Sequence, residues 1–199
     1  MKVSDAIKYR RSVNLFDPSH KISTLEVREL IEAANLSPSA FNIQHWRFVW
    51  LRDEEILQQA KISTWFQPQV TDASLVLLVC LDLKAWQKSP QRYWVNAPEN
   101  VAKSMIENIH QIYANNPQIE RDEGMRSASM AAMALMLKAQ DMGMDSCAMA
   151  CDAEKMAQVV NLPKDHAICM VLAFGKRLEE PYPRPGLLNV DDVLVTDSF

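Results

Sequence analysis

The chain has 199 residues, 48% of them hydrophobic, enough to build one domain around a sizeable core. Its 21 Lys and Arg against 25 Asp and Glu give a net charge of -4, which argues against a nucleic acid partner. Cys80, Cys147, Cys151 and Cys169 form no CxxC pair, the start lacks a signal-like apolar run, and no apolar stretch is long enough to span a bilayer. These features suit a reduced cytoplasmic protein with no membrane association. Only four glycines occur, scattered singly, so neither GxGxxG nor a P-loop is present, and a bound phosphate would have to be held by side chains.

In chain order, Ser4 is placed to cap a first helix running to about Tyr9, which puts Arg10, Arg11 and Ser12 at a helix end. Ser23 and Glu26 form a capping box for a second helix, with Val27, Leu30, Ile31 and Ala34 on one face; Pro38 then forces Ser37 out of helical geometry. Residues 47–52 read as a strand, 54–62 as a short helix, and 74–82 as a strand apolar on both faces, which suggests layers of helix and sheet. Pro98 opens an amphipathic helix that ends near Asn115-Asn116-Pro117. Residues 122–142 are apolar around nearly the whole circumference, so this helix should be buried on all sides, most simply between two subunits. Gly143 suits a left-handed helix stop, Asp152 caps a helix to about Val160, and 167–175 read as a second buried strand. Residues 176–199, with three prolines and an apolar end, form a tail that should pack across another surface.

Two segments carry candidate chemistry. Arg10 and Arg11 offer rigid guanidinium forks and Ser12 a hydroxyl, a set that suits a phosphate dianion but that, taken alone, reads more readily as a solvated basic turn. In the loop of residues 37–46, Ser39, Asn42 and Gln44 can bond the edge of a heteroaromatic ring, with Pro38 fixing their direction, or can satisfy their own turn. His20, His45, His110 and His166 show no metal-binding spacing, and Cys147 with Cys151 reads as small packing residues more readily than as a redox pair. Phe41, Trp65 and Trp94 either line an acceptor pocket or pack ordinarily.

Helix, Arg10-Arg11-Ser12, a second helix and then Ser37-Pro38-Ser39 with Asn42, Gln44 and Trp46 resemble the FMN-dependent nitroreductase family. The resemblance continues through Asp72-Ala73-Ser74, the Met- and Ala-rich helix and the Arg184 tail. It implies an α+β fold, a mostly antiparallel sheet flanked by helices, in one domain over residues 1–199. It also implies an intertwined homodimer with FMN at the interface, residues 84–120 as a lid-like excursion, and 176–199 as a tail packed on the partner subunit. By the same resemblance Arg10, Arg11, Ser12 and Arg184 hold the flavin phosphate and ribityl chain, and Arg10 lies closest to the phosphate. Pro38, Ser39 and Asn42, with Gln44 beside them, reach the partner's flavin; Gln69 lies near the pyrimidine end, and Met149 and Ala150 lie beside N5.

Three departures from the family pattern stand out. Asn14 occupies a position where many members have a basic residue, and Ala148-Met149-Ala150-Cys151-Asp152 replaces a stretch that in the family contains glycine. His45 stands where proline is common, with little consequence expected. The activity implied is hydride transfer from NADH or NADPH through flavin N5 to a nitroaromatic, quinone or similar acceptor in two half-reactions, with no protein acid, base or nucleophile. The alternatives are another acceptor chemistry on the same fold, such as dehalogenation or flavin fragmentation, and a flavin-binding dimer without turnover.

Overall fold

The computed structural model describes residues 1–199. Four antiparallel strands form the sheet, in the order β1 (Trp46–Leu51), β2 (Leu75–Asp82), β4 (His166–Gly175), β3 (Asp145–Met149). β2 is buried along its whole length because alternate residues serve two different cores. Leu75, Leu77, Val79 and Leu81 pack with α2 (Thr24–Asn35) and α6 (Pro117–Asp141), while Val76, Leu78 and Cys80 face the layer that holds α3 (Glu54–Ser63) and α7 (Ala153–Val159). A continuous apolar strand therefore signals helices on both faces here, within an antiparallel rather than a parallel sheet.

Local chemistry explains most element ends. Ser23 and Glu26 cap α2 reciprocally, and Asp152 caps α7 by accepting from the Lys155 N–H. Ser23→Ala should lower stability by about 1 kcal/mol, read as a shifted urea midpoint at unchanged slope; an unchanged midpoint would contradict the capping assignment. Gly143, at φ 71°, turns the chain from α6 into β3.

Several expectations need correction. α1 (Val3–Tyr9) begins one residue before Ser4 and has no side-chain cap, because Lys2 occupies the cap position. α6 starts at Pro117, capped by Asn116, rather than near residue 122. It is not buried on all sides within one chain: Gly124, Ser127, Ala128, Ala131, Ala132, Leu135 and Ala139 pack inward, whereas Arg126, Ser129 and Met130 are exposed. Small side chains let this helix lie close to α2 and the sheet, so much of its apolar surface is covered by its own subunit. β3 was not expected as a strand, since Asp, Ser and Ala carry little strand preference.

The excursion between β2 and α6 is docked rather than loose. Trp86 and Tyr93 are buried with Ile43, Ala85, Ile109 and with Tyr113 of α5 (Glu99–Tyr113), and Trp94 packs against this cluster. Trp86 Nε1 donates to the buried Glu120 at 2.7 Å, and Lys84 Nζ reaches both Glu120 oxygens at 2.6 and 2.7 Å. Lys88 joins Asp82 at 2.8 Å to Asp165 at 2.7 Å, and Arg47 also pairs with Asp82. Asp82, Asp165 and His166 bring their ligand atoms within 4.8 Å of one another, but these two side-chain cations already neutralise the carboxylates.

Beyond Gly175 the tail leaves the body, ending in α8 (Val190–Val193), and residues 182–199 are all exposed. Leu187, Leu188, Val193 and Leu194 are each more than 60% exposed, a density of bare apolar side chains that a monomer rarely presents. No helix is long and apolar enough to cross a membrane.

Candidate functional site

The basic turn is held by the sheet edge and by the root of the tail. After Tyr9 the helix ends, the Val13 N–H donates to the Ser146 carbonyl of β3 at 3.1 Å, and Phe16 bridges to Arg177. Val13 and Phe16 are buried, which leaves the alternating Ser12 and Asn14 facing outward. Arg10, Arg11, Ser12 and Asn14 then line a cavity of about 260 Å³ with Tyr182, Pro183, Arg184 and Pro185.

No carboxylate lines this cavity, and none of its three arginines forms an ion pair. Burial, then the charges of Arg184 and Arg11, lower the Arg10 pKa from its ordinary value. Arg10 Nε is buried without a hydrogen-bond partner. Arg184 donates to the Arg10 carbonyl at 2.8 Å and to the Lys8 carbonyl at 3.4 Å, at the negative end of α1. Arg11 donates to the Tyr182 carbonyl. Converging cations without a counter-charge, one of them with an unused donor, form a site that an anion would relieve.

From Arg10 the line of candidate residues continues along β3. Burial pushes the Cys147 thiol pKa up, opposed by the Gln69 amide and by the nearby Arg10. Gln69, in the short helix α4 (Gln69–Asp72), is buried and directs Nε2 to Cys147 Sγ at 4.0 Å, leaving Oε1 without a partner; Ser146 Oγ is also unpartnered. Met149 turns its side chain into the core, so only its backbone is available to a ligand, while Ala150 is exposed at the strand end. The Asp152 N–H donates to the Ser63 carbonyl at 2.8 Å, tying this end to the close of α3. There Trp65 and Phe66 sit at φ 54° and 64° with 61% and 69% exposure, two large aromatics in the left-handed region with their rings in solvent.

The other predicted segment lies elsewhere in the subunit. Pro38 is exposed, Ser39 Oγ accepts from the Gln44 N–H at 3.0 Å, and Asn42 Nδ2 donates to the Tyr93 carbonyl at 2.8 Å. Phe41, Asn42 and Gln44 all have positive φ, and the Phe41 ring meets Tyr113 edge-on at 6.4 Å. Gln44 faces a separate cavity of about 660 Å³, lined by Trp46, Phe48 and Trp50 of β1 and by Val27 and Ile31 of α2. One subunit thus unites Arg10, Arg11, Ser12, Asn14 and Arg184, brings Gln69 and β3 alongside, and does not bring the 38–44 loop to them.

Residues 7–176 match the model of the Nitroreductase family. The chain belongs to the nitroreductase family. It is 48% identical over 181 residues to Protein DrgA of Synechocystis sp., covering 90% of this chain and 86% of that protein. It is 32% identical over 183 residues to a Bacillus subtilis protein that carries the name NAD(P)H nitroreductase MhqN, covering 87% and 88%. Among solved structures, a nitroreductase in complex with FMN from Exiguobacterium sibiricum superposes with a TM-score of 0.90 at 27% identity, covering 98% and 97% of the two chains.

The nitroreductase fold here also recruits residues that sequence reasoning missed. Tyr182, Pro183 and Pro185 line the basic cavity, while Ser146 pairs with Ser12 across a β-bridge and Cys147 meets Gln69. The alternation of proline with Tyr182 and Arg184 was a usable signal for the first three. Ser146 and Cys147 gave none, because their strand was itself hard to recognise.

Proposed function

We propose that this chain is an NAD(P)H-dependent FMN oxidoreductase that works as a homodimer with two flavin sites at the interface, each built from both copies. The observation that carries the reading is the carboxylate-free cavity of Arg10, Arg11 and Arg184, continued by the buried, unpartnered Gln69 Oε1. Bound FMN would accept hydride from NADH or NADPH at N5 and pass it to a small oxidised acceptor such as a nitroaromatic or quinone.

The protein's part is binding and orientation. Arg10, Arg11, Arg184 and Ser12 grip the phosphate, and Asn14 adds amide donors where a charge is absent. The Gln69 amide offers a donor and an acceptor to the polar edge of the ring, and the β3 end at Met149 and Ala150 supplies backbone groups beside it. Pro38, Ser39, Asn42 and Gln44 of a second copy complete the site, which agrees with their separation from Arg10 in one subunit. Phe41, Trp65 and Trp94 flank the space for a planar acceptor.

The tail supports the dimer. Its bare apolar residues and Asp191, Asp192 and Asp197 complement the unpaired edge of β1 and the neighbouring groove, whose rim carries Arg47 and Arg92. The test is anaerobic: purified protein should bind FMN, NADH or NADPH should bleach its yellow absorbance, and a nitro compound or quinone should restore it. Protein that takes up no FMN, or whose bound flavin neither nucleotide bleaches, would overturn this function.

A further inference from the structure

We infer that the phosphate gripped by the arginine cluster also aims the tail, so that dimer formation is linked to the phosphate of the ligand rather than to its ring alone. The inference rests on the proposed function for the identity of that ligand, FMN. The cluster is built from two parts of the chain, the turn at Arg10, Arg11 and Ser12 and the tail root at Tyr182 to Pro185. Three hydrogen bonds tie these parts together, from Arg11 to the Tyr182 carbonyl and from Arg184 to the carbonyls of Lys8 and Arg10. Beyond Arg184 every hydrogen bond of the tail is local: Asn189 with Asp192, Val190 with Leu194, and Thr196 with Ser198.

Arg184 is therefore the last point at which the tail is fastened to its own subunit. Without an anion, three like charges converge there and oppose the bonds that hold the root in place. A phosphate dianion reverses that sign and draws Arg10, Arg11 and Arg184 together. The root itself is stiff, because Pro181, Pro183 and Pro185 each fix φ. Fixing Arg184 then fixes the direction in which residues 186–199 leave the body, and the apolar end of the tail reaches a second copy with less conformational entropy left to lose. Linkage makes the effect reciprocal, since whatever factor FMN adds to dimer affinity the dimer adds to FMN affinity.

The test uses full-length protein stripped of flavin, followed by sedimentation and by amide hydrogen exchange across residues 187–195. FMN should tighten the dimer about tenfold or more and slow exchange in the tail, while riboflavin, which has the same ring without the phosphate, should do clearly less. In Arg184→Gln the difference between FMN and riboflavin should disappear. Equal effects of FMN and riboflavin on the intact protein would overturn the inference, as would FMN binding that leaves both dimer affinity and tail exchange unchanged. If no flavin binds yet inorganic phosphate still protects the tail, the clasp stands and the FMN assignment falls; if neither flavin nor phosphate acts, both fall.

Discussion

Replacing Arg10 with alanine should weaken FMN binding by about 10- to 100-fold, the range expected when a charge-assisted hydrogen bond of about 1.5–3 kcal/mol is lost. Arg11→Ala should cost less. Arg10 is the more committed of the two: its Nε is buried without a partner, and like charges on two sides already strain its protonated form. Arg11 spends one of its donors on the Tyr182 carbonyl. The flavin-free variants separate binding from folding. Removing one of three mutually repelling cations should leave the melting temperature of the apo-protein level or slightly raised, whereas the rise in melting temperature on adding FMN should shrink far more for Arg10→Ala than for Arg11→Ala. Fluorescence titration of FMN into each variant measures the ordering directly. Equal affinities in the two variants would show that Arg10 has no special place at the phosphate.

The fold was legible where local chemistry and burial point the same way. β2 is a run of eight buried residues whose two faces meet two helical layers, and the Ser23–Glu26 pair announces its helix in the sequence alone. β3 was illegible because Asp145, Ser146 and Ala148 gain their strand geometry from pairing with β4, a contact between residues far apart in sequence. The lid-like reading of the excursion comes from the family resemblance, whereas its docking depends on pairs between residues far apart in sequence, Lys84 and Trp86 with Glu120 and Lys88 with Asp165.

The site divides along the same line. Arg10, Arg11 and Ser12 stood out as a compact basic triplet in a chain too poor in glycine for a backbone phosphate cradle, Arg184 stood out only through the family resemblance, and the structure gathers all four at one cavity. Trp65 and Phe66 show the opposite case. The end of α3 places them at positive φ without the glycine that usually marks such a turn, so nothing local signals their exposed, strained display beside the β3 end. The 38–44 loop lies between these cases: its residue types suggest recognition of a ring edge, and within one chain its Ser39 and Asn42 side chains bond the Gln44 N–H and the Tyr93 carbonyl.

Acid should destabilise the protein through His45. Its side chain is buried, neither ring nitrogen has a hydrogen-bond partner, and the ring stacks on Tyr113 at 6.0 Å and 27°. Burial lowers its pKa from the ordinary 6.5 to about 4, with Asp82 opposing and Arg47 reinforcing the shift. The sign follows from proton uptake: between these two values the unfolded chain binds a proton that the folded protein refuses. The contribution of neutral His45 is therefore complete above about pH 6.5 and is lost as the pH falls towards 4, for a total of about 3 kcal/mol. Asp165, whose neighbours Lys88 and His166 hold its pKa near 2, titrates below this window, and Glu26, held below its ordinary value by Ser23, acts only at its lower edge and equally in the natural protein and the variant. His45→Leu keeps the stack apolar and removes the titration, so urea midpoints measured from pH 7 to pH 4.5 should fall more steeply for the natural protein than for the variant. Parallel decline would mean that His45 accepts its proton without losing its place, and that the layer joining the 38–44 loop to the excursion is wetter than its geometry implies.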